Sequence, residues 1–152
     1  MPEKLFKYRP NAHYHVTFST KRRKPVLAGQ VGERIRYWFD TLARERGFEL
    51  IEHATWLDHV HMLIFVRAGE DLVYIMNILK GTTARRIFQE FDDLKMQIGE
   101  NHLWGRRFHA QEVPSEAVDQ VRRYIRDQAT THSERMSRLP IAAWERWRDL
   151  DS

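Results

Sequence analysis

The sequence contains no cysteine among its 152 residues. Disulfide frameworks, thiolate nucleophiles and Cys-ligated zinc or iron–sulfur sites are thereby excluded, and a reducing compartment suits the chain. Any metal must rest on histidine, carboxylate or amide ligands. Long apolar runs are also lacking. The longest clean one, Met62 to Val66, is far short of the roughly 20 residues that span a bilayer. The opening MPEKLFKYRP has no apolar signal core, so the expectation is a soluble, cytoplasmic protein with no membrane partner. No glycine-rich phosphate loop ending in Lys-Ser or Lys-Thr occurs, which argues against nucleotide-triphosphate chemistry of that type. What the chain does have is 42% hydrophobic and 30% charged residues, a balance that predicts one domain over 1–152. Its 25 Lys and Arg against 21 Asp and Glu give a net charge of +4, which favours a polyanionic partner.

The run His15 to Thr20 alternates polar and apolar residues, with Val16 and Phe18 on one face, and predicts a half-buried strand. Lys21-Arg22-Arg23-Lys24-Pro25 ends it as an exposed basic loop, since proline stops the ladder and four adjacent cations repel in a core. Ile35, Trp38, Phe39 and Leu42 recur at helical spacing from Glu33 onward, with Gly47 as the C-terminal cap. Two strands follow, Phe48 to Asp58 and Val60 to Val66, joined near Leu57-Asp58, the second central in the sheet. Asp71 predicts a helix cap, and the helix is expected to be interrupted or bent at Gly81 before its Ile87, Phe88 and Phe91 face. Leu94 to Asn101 reads as a loop, Trp104 to Val113 contains a fourth strand, and Pro114-Ser115 opens a helix with the stripe Val118, Val121 and Ile125. Met136 to Leu150 reads as a docking helix. The class is α+β, an antiparallel sheet with helices packed on it.

Two constellations carry chemistry. His59 and His61 flank Val60, so on a strand both imidazoles project from one face while Val60, Met62 and Ile64 enter the opposite layer. Taken alone, such a pair is more often two polar residues on the wet face of a sheet than a metal site. Tyr124 and Gln128 stand one turn apart on the late helix, ringed by Arg122, Arg123 and Arg126. Alone, this is a tyrosine at a core edge beside solvated arginines. Together the pieces make chemical sense as a phosphoryl-transfer site. His59, His61 and the Gln128 carbonyl can hold a divalent cation on a phosphate oxygen, and the Tyr124 hydroxyl can attack phosphorus. A phenol, with a pKa near 10, is both a usable nucleophile and a good leaving group, so the step is reversible without ATP.

In these residues the chain resembles the single-tyrosine HUH transposases of bacterial insertion sequences and their REP-associated relatives. The likeness rests on four stretches: His13 to Leu27, Leu57-Asp58-His59-Val60-His61-Met62-Leu63, Leu79 to Arg86, and Leu103-Trp104 through Tyr124-Ile125-Arg126-Asp127-Gln128. The resemblance implies a ferredoxin-like fold with a catalytic core of about 12–130 and a C-terminal tail, 131–152, to which no motif carries over. It implies cleavage and rejoining of single-stranded DNA with hairpin ends through a covalent 5′-phosphotyrosine. It further implies Tyr124 as nucleophile, His59, His61 and Gln128 as ligands of Mg2+ or Mn2+, and a homodimer in which one subunit's tyrosine helix can complete the other's site. Many relatives have proline before Asp-His, where this chain has Leu57.

Lys21, Arg22, Arg23 and Lys24, with Lys80, Arg85 and Arg86, are the candidate DNA-binding cations, and each cluster alone would be a solvated face. Trp104, Phe108 and Arg106-Arg107 offer stacking on unpaired bases, with core packing the ordinary role of such a tryptophan. His15 shares a strand face with Thr17 and points towards the active side. His53, His102, His109 and His132 have no partner spacing that singles them out. Two rival functions remain open, a domesticated nickase acting on chromosomal repeat hairpins and a non-catalytic nucleic-acid-binding module.

Overall fold

The computed structural model describes residues 7–99 and 101–138, with side chains through Gln128. Four strands, β1 (Ala12–Ser19), β2 (Glu49–Thr55), β3 (His59–Val66) and β4 (His109–Val113), form one antiparallel sheet in the order β2-β3-β1-β4. Helix α1 (Gly29–Arg46) connects β1 to β2, and α2 (Leu72–Glu90) with the short α3 (Leu94–Ile98) connects β3 to β4. This is the expected α+β, ferredoxin-like arrangement, with β1 and β3 as the inner strands.

Period-two alternation divides the sheet into a dry and a wet face. Tyr14, Val16 and Phe18 of β1 and Val60, Met62, Ile64 and Val66 of β3 pack against Ile35, Phe39 and Leu42 of α1 and Leu72, Ile75, Met76 and Leu79 of α2. Their neighbours in sequence, including His15, His59 and His61, therefore emerge on the opposite face. There α4 (Val118–Arg138) docks through Ile125, which is fully buried with Ala54, Leu63 and Val113. Arg122 Nε and Arg126 Nη2, each 3.1 Å from Glu52 Oε1, tie the same helix to β2.

Several expectations need correction. Helix α1 begins at Gly29, ahead of Glu33, because Gly32 lets the first turn close on the chain before it. A Cβ there would lie 2.5 Å from the carbonyl oxygen of Leu27. Helix α2 is continuous through Gly81. Ile75, Leu79, Thr83 and Ile87 make one buried stripe across it, and Thr83 Oγ1 donates within the helix to the Leu79 carbonyl, so tertiary packing overrides the weak glycine propensity. Leu94 to Asn101 is not all loop, because Leu94 and Ile98 are buried one turn apart in α3, which Gly99 caps at φ 69°. Asp71 caps α2 as expected, accepting from the Val73 amide. The late helix runs unbroken across the 130/131 boundary to Arg138, so Met136 continues α4, and the rest of the expected docking helix lies outside the described residues.

Candidate active site

His59 and His61 leave β3 on the wet face with ring centroids 5.1 Å apart and planes at 77°. Each ring is held at Nδ1. His59 Nδ1 lies 2.8 Å from Asp58 Oδ1, and Arg23 Nε donates to Asp58 Oδ2 at 3.1 Å. Burial alone would raise the Asp58 carboxyl. Hydrogen bonds from His59 and Arg23 outweigh it and hold the group below the ordinary carboxylate range, so the carboxylate is an acceptor towards His59 Nδ1. His61 Nδ1 is 3.1 Å from His15 Nε2, across the β1–β3 pairing. Burial, with a smaller effect of His109, pushes the His15 pKa down.

Tyr124 completes the group from within the same chain. Its half-exposed ring stands edge-on to both inner histidines, 6.3 Å from the His61 centroid and 6.1 Å from that of His15. Gln128 follows one turn later on α4 and is half-buried. Beside the imidazoles opens a cavity of about 540 Å³ that Arg23, Arg107, Phe108 and His109 also line.

The donor set fits a divalent cation. With Nδ1 of each ring committed, an ion shared by the two would be ligated through Nε2. Among the described residues no cluster of three or more His, Asp or Glu closes a metal cage. A third protein ligand would therefore be of another kind, and the amide of Gln128 is such a donor.

The basic residues divide by use. Arg23 is committed to Asp58 and faces the cavity beside the imidazoles, whereas Arg22 stands exposed in a tight turn over Lys21–Arg23, at φ 55°. Lys80 is half-buried, with its ammonium donating to the carbonyls of Gly105 (2.8 Å) and Arg107 (3.2 Å), so it fastens the segment before β4 onto α2. Burial lowers its pKa. Arg85 and Arg86 are exposed, the latter 5.1 Å over the Trp38 ring. Trp104 is a core residue whose Nε1 donates to Thr83 Oγ1 at 3.1 Å. A second cavity, about 930 Å³, lies between α2 and residues 101–108. Lys7, Lys80, Arg85, Arg106 and Arg107 line it with Tyr8, Phe88 and Phe108, and no carboxylate does among the described residues. Arg107 and Phe108 line both cavities.

Sequence reasoning passed over Asp58, offered Arg107 only for stacking on unpaired bases and not for the site beside the histidines, and did not single out His109. A carboxylate directly before the first histidine was a readable signal for Asp58. The other two needed the pairing of β4 with β1, which sets His109 opposite Thr17, itself opposite His61.

The family model described as "Transposase IS200 like" matches residues 8–128, covering every strand and the tyrosine helix through Gln128. The chain belongs to this transposase family. The transposase is 29% identical over 115 residues to the ISDra2 transposase TnpA of Deinococcus radiodurans, spanning 76% of this chain and 82% of that protein. It is 24% identical over 118 residues to the transposase of insertion sequence element IS200 from Salmonella typhimurium, 78% of this chain and 77% of the other. Among solved structures it is similar to a proposed transposase from Deinococcus radiodurans, with TM-score 0.64 and 28% identity over 80% of this chain and 94% of that one. It also shares its fold with a REP-associated tyrosine transposase bound to a REP hairpin, with TM-score 0.53 and 19% identity over 82% and 70% of the two chains. No helix among the described residues of the transposase is long and apolar enough to cross a membrane.

Proposed function

We propose that this transposase cleaves and rejoins single-stranded DNA through a covalent 5′-phosphotyrosine on Tyr124. The observation that carries the reading is the placement of the Tyr124 ring 6.3 Å from His61, at the edge of the paired imidazoles. Attack by the phenolic oxygen forms the bond to phosphorus and breaks the bond to the 3′ oxygen. The phenol loses its proton, the leaving 3′ oxygen gains one, and the same step in reverse rejoins a strand. A divalent ion, Mg2+ or Mn2+, held by His59, His61 and Gln128 would draw negative charge from a non-bridging phosphate oxygen. Oxygen donors from amide and phosphate favour these hard ions.

The chain's own residues supply the remaining functions. Arg23 and Arg107 place positive charge at the catalytic cavity, and the larger cationic, aromatic-lined cavity continues from it past Arg107 and Phe108. That track suits a phosphate backbone with unpaired bases, and DNA with hairpin ends is the substrate class we assign, as in the REP-bound neighbour. Exposed Arg22, Arg85 and Arg86, with Lys21 and Lys24, extend it, while Lys80 shapes it through the backbone. The active form is proposed to be a homodimer acting on cytoplasmic DNA.

The test uses hairpin oligonucleotides drawn from the DNA flanking the gene, labelled at either end and incubated with Mn2+. The wild type should retain the 3′-labelled fragment on protein and release the 5′-labelled one with a 3′ hydroxyl. Tyr124→Phe should bind the oligonucleotide without attachment. Attachment of the 5′-labelled fragment, or equal cleavage by both proteins, would contradict the reading.

A further inference from the structure

We infer that Asp58 and His15 are positioning residues that set the tautomers of the two imidazoles, one for each, so that both present Nε2 to a shared ion. The inference rests on the proposed metal site and adds to it residues outside the ligand set.

The two devices differ. On His59 the partner is a buried carboxylate 2.8 Å from Nδ1, anchored on its other oxygen by Arg23. An ionised carboxylate only accepts, so it selects the Nδ1–H form and leaves the lone pair on Nε2. On His61 the partner is an imidazole. For His61 to ligate through Nε2, its Nδ1–H must donate to His15 Nε2, 3.1 Å away, so this His15 nitrogen must accept and His15 carries its N–H on Nδ1. His15 is fixed for this by its register. It sits opposite Leu63 on β3, and its ring reaches diagonally to His61, with centroids 5.3 Å apart. The Tyr124 ring packs edge-on against both members of this pair, so the contact that orients the ligand also borders the nucleophile.

Substitution separates positioning from bulk. In Asp58→Asn the single carbonyl oxygen is claimed by Arg23, which can only donate, and the amide NH2 is turned to His59. His59 then accepts at Nδ1 and carries its proton on Nε2, the wrong atom for a ligand. His15→Phe keeps the ring volume but offers His61 no acceptor. His15→Gln restores an oxygen near the position of Nε2.

The experiment combines long-range proton–nitrogen NMR of 15N-histidine-labelled, metal-free protein with calorimetric titration of Mn2+ into the same variants. Wild type should show Nδ1–H on both His59 and His61. Asp58→Asn should move the His59 proton to Nε2, His15→Phe should release the His61 preference, and each should weaken Mn2+ binding about tenfold or more. His15→Gln should recover most of that loss. Wild-type tautomers in Asp58→Asn and His15→Phe would overturn the inference, even if wild type binds Mn2+ as proposed. Shifted tautomers in a protein that binds no Mn2+ would support positioning and count against the metal site instead.

Discussion

The ring of Tyr124 stands edge-on to that of His61 in a single chain, centroids 6.3 Å apart. Two anchors of unequal strength put it there. Ile125, the next residue, is fully buried against the sheet, while Arg122 and Arg126 reach Glu52 from a solvent-facing side. Apolar burial should dominate. Ile125→Ala is expected to cost about 3 kcal/mol, and Glu52→Ala less than about 1 kcal/mol because exposed ion pairs are screened. Urea denaturation of both variants measures this, and a larger loss for Glu52→Ala would invert the assignment.

The continuity of α2 through Gly81 carries its own test. A Cβ at Gly81 meets nothing within 4 Å and the residue sits inside a regular helix. Gly81→Ala should therefore stabilise the fold by about 0.5–1 kcal/mol, chiefly by restricting the unfolded chain. A destabilised variant in thermal unfolding would mean that the glycine serves a bend after all.

Cations used for DNA and for architecture should separate by salt dependence. Arg85 is exposed beside the large cavity, whereas the Lys80 ammonium is bonded to the Gly105 and Arg107 carbonyls. Arg85→Ala should reduce the slope of log affinity against log salt for single-stranded DNA by about 0.7, one phosphate contact. Lys80→Met should leave the slope nearly unchanged and lower the unfolding midpoint. Equal slope changes in the two variants would place Lys80 on phosphate.

Acid stability tests the tie between α1 and α2. Hydrogen bonds from Arg34, and secondarily from Trp38, hold the Glu90 carboxyl below the ordinary glutamate value of 4.5. A depressed folded pKa contributes stability that is present above pH 4.5 and is lost as pH falls through the folded value. Glu90→Gln should be less stable than wild type at neutral pH, with the difference shrinking as pH falls below 4.5. A difference that grew on acidification would contradict the assigned direction.

Local signals in the sequence were sufficient for much of this architecture. Alternation in β1 and β3 separates Val16, Phe18, Val60 and Met62 from His15, His59 and His61 whatever the tertiary context, so the shared face of His59 and His61 was readable. The helical stripe ending at Ile125 similarly set Tyr124 beside the core. What could not be read was register. That His15 meets His61, and that His109 and Arg107 border the same cavity, depends on how β1 pairs with β3 and β4, strands distant along the chain. Gly81 misled because propensity is local, and the stripe from Ile75 to Ile87 that overrides it is tertiary.

The most direct measurement is to locate the DNA on the protein. After reaction with a hairpin oligonucleotide and Mn2+, nuclease trimming and tryptic digestion, mass spectrometry should find a 5′-phosphorylated nucleotide on the peptide Tyr124-Ile125-Arg126. A nucleotide carried by any other peptide, or an unmodified Tyr124 peptide from protein that still holds its cleaved fragment covalently, would refute the phosphotyrosine mechanism.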